Sequence, residues 1–586
     1  MKKKSNVSSR DEANLSRRRF VKGIAAGSLL AGIGLRLPIA HAQTTHHPVP
    51  EVLRGNDFDL GIGKQTVNFT GQQAVATTVN GTLPAPILRW KEGELITLRV
   101  KNSLTVPSSI HWHGLILPPE MDGVPGLSFA GIAPGETFTY QFHANQSGTY
   151  WYHSHSGFQE QTGLYGAIII DPKEPEHFQY DRDYTIVLSD WSDEKPETIF
   201  RNLKKKGHYY STNERTSGDL INDIRNKGFS QTWADRKMWN QMRMNDRDIS
   251  DVTGYSYTFL MNGMTPASHW RGLFKPGEKI RLRFINAGAM TFFDVRIPGL
   301  KMTVVAADGQ YVTPVTVDEF RIGSAETYDV IVEPQDDRPY SLFAQAIDRS
   351  GYACGSLTPD INTTATVPAL DAPPILTHAE MGMDGAHHGK HNDHHKMAMA
   401  TTSDHSQHAA PAADMPVIRA PTKHGPQIDM RASNPQYRLN DPGIGLRNNG
   451  RRVLTYADLK NYYHNHHTPS PTREIVLHLT GNMNRYMWSI DGIPSDKAPP
   501  IEMKYGERVR ITLVNDTMMN HPMHLHGMWS ELETGDMMRL PKKHTVIVQP
   551  GSKVSYQVSA DARGDWAFHC HLLFHMMGMF RIVSVT

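Results

Sequence analysis

Four short histidine motifs could do chemistry in this chain. His111-Trp112-His113-Gly114 and His153-Ser154-His155 lie in its first third. His521-Pro522-Met523-His524-Leu525-His526-Gly527 and His569-Cys570-His571, with His575 close behind, lie near its end. Neutral imidazole is the commonest protein ligand for transition metals, and a thiolate among imidazoles selects a soft or borderline metal. One His-x-His alone could be two polar residues on a sheet face; four at a common spacing carry more weight. His111 and His113 follow Asn102 by nine and eleven residues, and His524 and His526 follow Asn515 by nine and eleven. His153 and His155 follow Gly148 by five and seven, as His569 and His571 follow Gly564.

Strand geometry sorts these ligands. Side chains at i and i+2 share a face, and i+1 points the other way. His569 and His571 therefore face together and Cys570 faces the opposite side, so one strand serves two metal sites joined by a few covalent bonds. Cys570 with His521 and His575 makes a two-histidine, one-thiolate set, usually completed by a weak axial Met, which is the blue-copper arrangement. Zinc accepts Cys and His, but eight further histidines around two or three metals fit no structural zinc motif. Ser154 stands where Cys570 stands and is no soft ligand, so the first motif pair lacks the second site. Cys354 has no histidine neighbours in sequence, and a Cys354–Cys570 disulfide would destroy the metal thiolate.

The elements that must position these residues repeat three times. Gly93–Asn102, Gly277–Asn286 and Gly506–Asn515 each open with Gly-Glu and reach Asn nine positions after the Gly. Each alternates apolar and polar residues between, the period of a half-buried strand. Three copies predict three domains of one type: an all-β fold of three Greek-key β-sandwiches. The boundaries are 43–175, 176–370 and 433–586. In the middle copy the offsets from Asn286 give Val295 and Ile297, so that domain binds no copper through this pair. An interface between the outer domains would gather the eight histidines at one metal cluster. The charged stretch from about 199 to 250 is expected to hold helix, with no assigned role.

Length and composition agree. The chain has 586 residues, 39% hydrophobic and 20% charged, with 31 His and 27 Met against two Cys. That is too long for one ordinary domain, rich enough for real cores, and too poor in cysteine for a disulfide framework. Residues 1–42 carry nine Lys or Arg against two Asp or Glu; without them 52 basic and 57 acidic residues remain, a net −5. A body of that sign has no electrostatic case for binding nucleic acid. Ser16-Arg17-Arg18-Arg19-Phe20-Val21-Lys22, a short apolar stretch from Gly23 to Leu35 and Ala40-His41-Ala42 read as a twin-arginine signal peptide over 1–42 with its cleavage site. The apolar run is too short to span a membrane, and no later segment could. The expected location is the periplasm.

Between 371 and 432 the composition changes. His378, Met381, Met383, His387, His388, His391, His394, His395, Met397, Met399, His405 and His408 stand among Gly, Ala, Pro and Asp with almost no large apolar groups. The segment is expected to be a disordered linker that captures copper loosely.

The four motifs resemble those of multicopper oxidases, built from cupredoxin domains. The longer strings "GLYGAIIIDP" from Gly163, "MTVVAADGQYVTPVTVDEFRI" and "LNDPGIGLRNNGRRVLTYADLK" resemble the bacterial periplasmic copper-resistance protein A group of that family. The resemblance implies four coppers per chain. His111 and His524 would bind a type 2 copper. His113, His153, His155, His526, His569 and His571 would bind a type 3 pair, and His521, Cys570 and His575 a type 1 copper. Type 1 would collect single electrons, Cys570 would pass them to its flanking histidines, and the three-copper cluster would reduce O2 to water. Asp122 matches a family acidic residue that orients ligands and supplies protons. The family's axial residue lies ten positions after the Cys, here Phe580. Because the string after His575 is one residue shorter, Met579 is expected to be the displaced axial ligand, with Phe580 the alternative.

Copper resistance implies Cu(I) as substrate, oxidised to Cu(II), and thioethers prefer Cu(I). Asp516, Met518 and Met519, just before His521, are the expected docking site, with Met523, Met528, Met537 and Met538 as further candidates. A laccase-type phenol oxidase and a copper-sequestering binding protein are the alternatives. O2, Cu(I) and copper-handling periplasmic proteins are the expected substrates and partners of a monomer.

Overall fold

The computed structural model describes residues 50–211, 213–383, 415–419, 425–465 and 469–586. The export-type segment 1–42 lies outside the described residues. Each of the three repeats forms a strand: Leu95–Asn102, Ile280–Asn286 and Arg508–Asn515. Each ends on a buried asparagine whose amide makes the same three hydrogen bonds. Asn102 Nδ2 donates to the Val106 and Ile132 carbonyls, and its Oδ1 accepts from Leu104 N. Asn286 does this with Thr291, Ile322 and Gly288, and Asn515 with Met519, Val548 and Thr517. A buried amide must satisfy both ends, so the repeat keeps Asn where the chain turns out of its central strand.

Each repeat lies in one of two sheets. The first pair has four and five strands, the middle pair six and five, the third eight and five. In the first sandwich, alternate residues of Asp57–Val67 and Leu95–Asn102 meet Trp90, Trp112, Tyr150 and Ile168 of the other sheet in one core. The architecture is all-β and cupredoxin-like, as expected.

The five-stranded sheets carry the histidines. His111–His113 pairs antiparallel with Gly148–His153, setting His111 opposite His153. His521–Leu525 pairs with Gly564–Cys570, setting His524 opposite His569. The matching pair in the middle sandwich sets Val295 opposite Ala344. Both are fully buried, so this sandwich carries an apolar cross-strand contact where the outer two carry imidazoles.

The charged stretch does hold helix: α1 (Pro196–Lys205), α2 (Ser217–Lys227) and α3 (Phe229–Met242). A capping box between Thr216 and Asp219 starts α2. Helix α1 buries Ile199 and Leu203. Its Phe200 ring stacks on Phe574, and Lys204 Nζ donates to the Tyr486 carbonyl.

The 371–432 segment needs correction at its ends. Leu376, Met381, Ile428 and Met430 are buried in the core, and His378 lies against the Trp239 ring. Val417–Arg419 adds an edge strand beside Arg473–Asn482. Isolated apolar residues found slots in neighbouring surfaces although no periodic run announced them. His387, His388, His391, His394, His395, Met397, Met399, His405 and His408 lie outside the described residues.

Candidate metal centre

The eight histidines converge between the first and third sandwiches. His155, His526 and His569 bring ring nitrogens within 4.8 Å of one another. Nε2 of His569 lies 3.1 Å from Nε2 of His526 and 3.4 Å from Nε2 of His155. His153 and His571 face each other with 3.3 Å between their Nε2 atoms, and the His113 ring stands 4.9 Å from that of His571. His111 and His524, 5.7 Å apart by ring centroid, leave Nε2 atoms without hydrogen-bond partners. The six residues assigned to a pair of ions thus fall into two trios, and every group draws on both outer sandwiches.

The ring orientations follow from the outer nitrogens. Nδ1 of His111 donates to the Asp122 carbonyl at 2.8 Å, and Nδ1 of His526 to Asp122 Oδ2 at 2.8 Å. Nδ1 of His153 meets Glu160 Oε2 at 2.7 Å. Nδ1 of His524 and of His569 reach the carbonyls of His544 and Cys570. A ring that donates from one nitrogen keeps its lone pair on the other. Burial, reinforced by neighbouring imidazoles, holds His113, His153, His155, His524, His526 and His571 well below the ordinary histidine pKa. Burial pulls His569 down to about 4. Neutral rings with inward lone pairs are metal donors. Two nitrogens ~2.0 Å from one ion at a tetrahedral angle stand ~3.3 Å apart, close to the separations here.

On the reverse of the same strand, Cys570 Sγ lies 3.5 Å from His521 Nδ1 and 3.8 Å from His575 Nδ1, and the two Nδ1 atoms are 3.3 Å apart. All three residues are fully buried. Their outer nitrogens are held too: His521 Nε2 by Thr517 Oγ1 at 2.7 Å, His575 Nε2 by Asp251 Oδ2 at 2.6 Å. Trp488 stacks on the His575 ring at 3.8 Å. Burial pushes the Cys570 thiol up, so a cation must displace its proton to bind. Cys354 is a free buried thiol against His269 in the middle sandwich.

Family models of multicopper oxidases match residues 61–175, 182–367 and 468–586. The chain is 54% identical to the copper resistance protein A homolog of Pseudomonas syringae pv. tomato, over 97% of this chain and 99% of that one. It is 54% identical to copper resistance protein A of Escherichia coli with the same coverage. This chain is a multicopper oxidase. Within that family it belongs with the copper resistance protein A group. The multicopper oxidase MmcO of Mycobacterium tuberculosis is 30% identical over 97% of this chain and 96% of its own. The laccase of Botrytis aclada shares the fold, with a TM-score of 0.62 at 20% identity, over 92% of this chain and 88% of that one.

The remaining site expectations divide. In this multicopper oxidase Met579 is fully buried in the turn after His575, and its carbonyl accepts from Cys570 N at 3.1 Å. Phe580 is paired opposite His569, and its ring lies parallel to that imidazole. Phe580 therefore stands on the face away from Cys570 Sγ. The expected docking site at Asp516, Met518 and Met519 is corrected. All three are buried, and the Asp516 carboxylate already accepts from Arg431 Nη1, Ala432 N and His478 Nδ1. Met518 and Met519 fill the core. Met523 and Met528 are buried as well, and Met537 and Met538 are exposed.

Three residues escaped the sequence reading. Glu160 lies only five positions after His155, close enough to be noticed as an acid beside the motif. Burial, with Asp190 nearby, raises its pKa well above the carboxylate range. Asp251, which burial pushes up to about 7, also accepts from the Tyr486 hydroxyl. It is far from His575 in sequence and left no local signal. His544, a solitary histidine, is buried beside His113 with ring centroids 4.7 Å apart.

Proposed function

We propose that this multicopper oxidase oxidises Cu(I) to Cu(II) and reduces O2 to water. Four Cu(I), one O2 and four protons yield four Cu(II) and two waters. The carrying observation is the strand Gly564–Cys570 with its extension to His571: the thiolate set on one face, and on the other His569 and His571, each gathered with two histidines of the cluster. Bound copper supplies one-electron redox steps and the reduction of O2. In this reading His521, Cys570 and His575 would hold type 1 copper, with Met579 rather than Phe580 as the further candidate ligand, since Phe580 lies on the His569 face. His111 and His524 would hold type 2, and the two trios His113, His153, His571 and His155, His526, His569 would hold the type 3 pair, four coppers in all.

The chain's own groups do the rest. Cys570 is bonded through backbone to both His569 and His571, giving electrons a covalent path from one centre to the other. Asp122 orients His111 and His526 together. It and Glu160, a carboxyl group held high by burial, stand where protons are consumed. An electron donor would approach by His575, whose Nε2 is hydrogen-bonded to Asp251, itself tied through Tyr486 to α1. That roof favours a metal-ion donor over a bulky phenol, which needs open contact with the imidazole edge. The names of the relatives and the His/Met-rich segment support Cu(I) and a role in copper resistance. The proposed location is the periplasm, reached by twin-arginine export. Among the described residues no helix is long and apolar enough to cross a membrane.

Oxygen uptake by the copper-loaded protein, measured with Cu(I) and with a bulky phenol, tests the reading. Faster uptake with Cu(I), accompanied by an intense blue thiolate band, is expected. Phenol turnover far above that with Cu(I) would overturn the substrate assignment.

A further inference from the structure

His544 lies in the third sandwich between Lys543 and the strand Thr545–Val548. Its Nδ1 is 3.1 Å from His113 Nε2 and 3.1 Å from Thr545 Oγ1, and Thr545 Oγ1 is itself 3.2 Å from His113 Nε2. His113 is the cluster histidine turned the other way round: its Nδ1 is buried without a hydrogen-bond partner. If Nδ1 keeps the lone pair for a metal, Nε2 carries the hydrogen and donates to this pair of acceptors. Nδ1 of His544 then accepts, and its own ring hydrogen sits on Nε2.

That Nε2–H has no protein partner although it is buried. His544 lines a cavity of about 10 Å³ together with His111 and His524, whose Nε2 atoms are likewise without partners. A space of that size holds about one water. Gly114 makes the approach feasible, since a Cβ there would meet His544 Cδ2 at 2.4 Å. The imidazole is fixed from behind. Backbone N of His544 and of Thr545 each donate to Asp308 Oδ2 at 3.1 Å, and the His544 carbonyl accepts from His524 Nδ1 at 2.6 Å. Asp308 belongs to the middle sandwich and is tied to Lys543 at 3.1 Å, which also meets Glu326 at 2.7 Å.

We propose that His544 is a hydrogen-bond donor, held in its Nε2–H form by His113, to a small oxygen ligand or anion bound between His111 and His524. The proposal rests on reading the histidine cluster as a copper centre. A donor fixed before its ligand arrives needs no reorganisation on binding.

Two near-isosteric variants separate donation from support. His544→Asn keeps a side-chain acceptor near the Nδ1 position and removes the group at Nε2. His544→Gln extends an amide donor towards the Nε2 position. The readout is fluoride binding to the copper-loaded protein, followed by the splitting that fluoride imposes on the paramagnetic signal of the two-histidine copper. His544→Asn should weaken fluoride by about tenfold or more, the worth of a lost hydrogen bond to a charged group. His544→Gln should recover most of that loss, with copper per chain and the absorption of the coupled pair unchanged in both. Fluoride affinity in His544→Asn within about twofold of the parent would overturn the proposal. So would loss of copper from the pair in both variants, which would mean that His544 only braces His113. A parent protein with no two-histidine copper signal would instead remove the copper reading itself.

Discussion

At the scale of single residues, the acceptors behind the rings decide which nitrogen faces inward: carboxylates for His526, His153 and His575, backbone carbonyls for His111, His524 and His569. Asp122 holds two histidines from different sandwiches, and Glu160 holds His153 from outside the cluster. Groups behind metal ligands commonly account for 10–100-fold in metal affinity or activity. Glu160→Ala should therefore lower oxygen uptake by about 10–100-fold and leave the blue band intact, because Cys570 and its partners lie on the other face. Copper analysis with absorption spectra checks both. Asp251→Asn is a matched test at the opposite centre. It keeps one acceptor for His575 or Tyr486 but removes the charge, so uptake driven by Cu(I) should fall by about tenfold or more with all coppers retained. An unchanged rate would place electron entry elsewhere.

At the scale of elements, α1 roofs the His575 side and the 384–414 stretch adds histidine and methionine. Phe200→Ala removes the ring that stacks on Phe574, so the ratio of phenol turnover to Cu(I) turnover should rise severalfold, measured by paired oxygen-uptake assays. Deleting 384–414, which spares the packed His378 and Met381, should lower copper bound per chain while Cu(I)-driven uptake persists. The central strands and the histidine pairs were legible because their signals are local: Gly-Glu, alternation, a closing Asn, then a fixed offset to His111 or His524. Cys570 was legible because strand alternation alone assigns its face. Asp251 and His544 were not, since a fold contact across hundreds of residues leaves no spacing to read. Asp516, Met518 and Met519 misled for the converse reason. Nearness to His521 in sequence says nothing of exposure, and there the chain turns inward at Asn515.

At the scale of the whole molecule, many neutral imidazoles are buried at once. Their pKa values in the folded protein lie below the ordinary 6.5, His569 at about 4, while the unfolded chain titrates near 6.5. The unfolded state thus binds protons that the folded state refuses. Stability is fully present above about 6.5 and is lost as pH falls towards about 4. Thermal melts of the copper-free protein at pH 7, 6 and 5 should show a steep fall in Tm, and copper should shift that fall to lower pH by occupying the lone pairs. A flat profile would mean that the rings are hydrated and free to protonate.

The trios His155, His526, His569 and His113, His153, His571, and the pair His111 and His524, each join a histidine before residue 156 to one after residue 520. During synthesis the early histidines must wait for the last strands to leave the ribosome. A chain that stops short of His569 would fold its opening sandwich and still be inert towards oxygen. The enzyme therefore carries a built-in safeguard: no half-made copy can shed partly reduced oxygen into the compartment where it is translated.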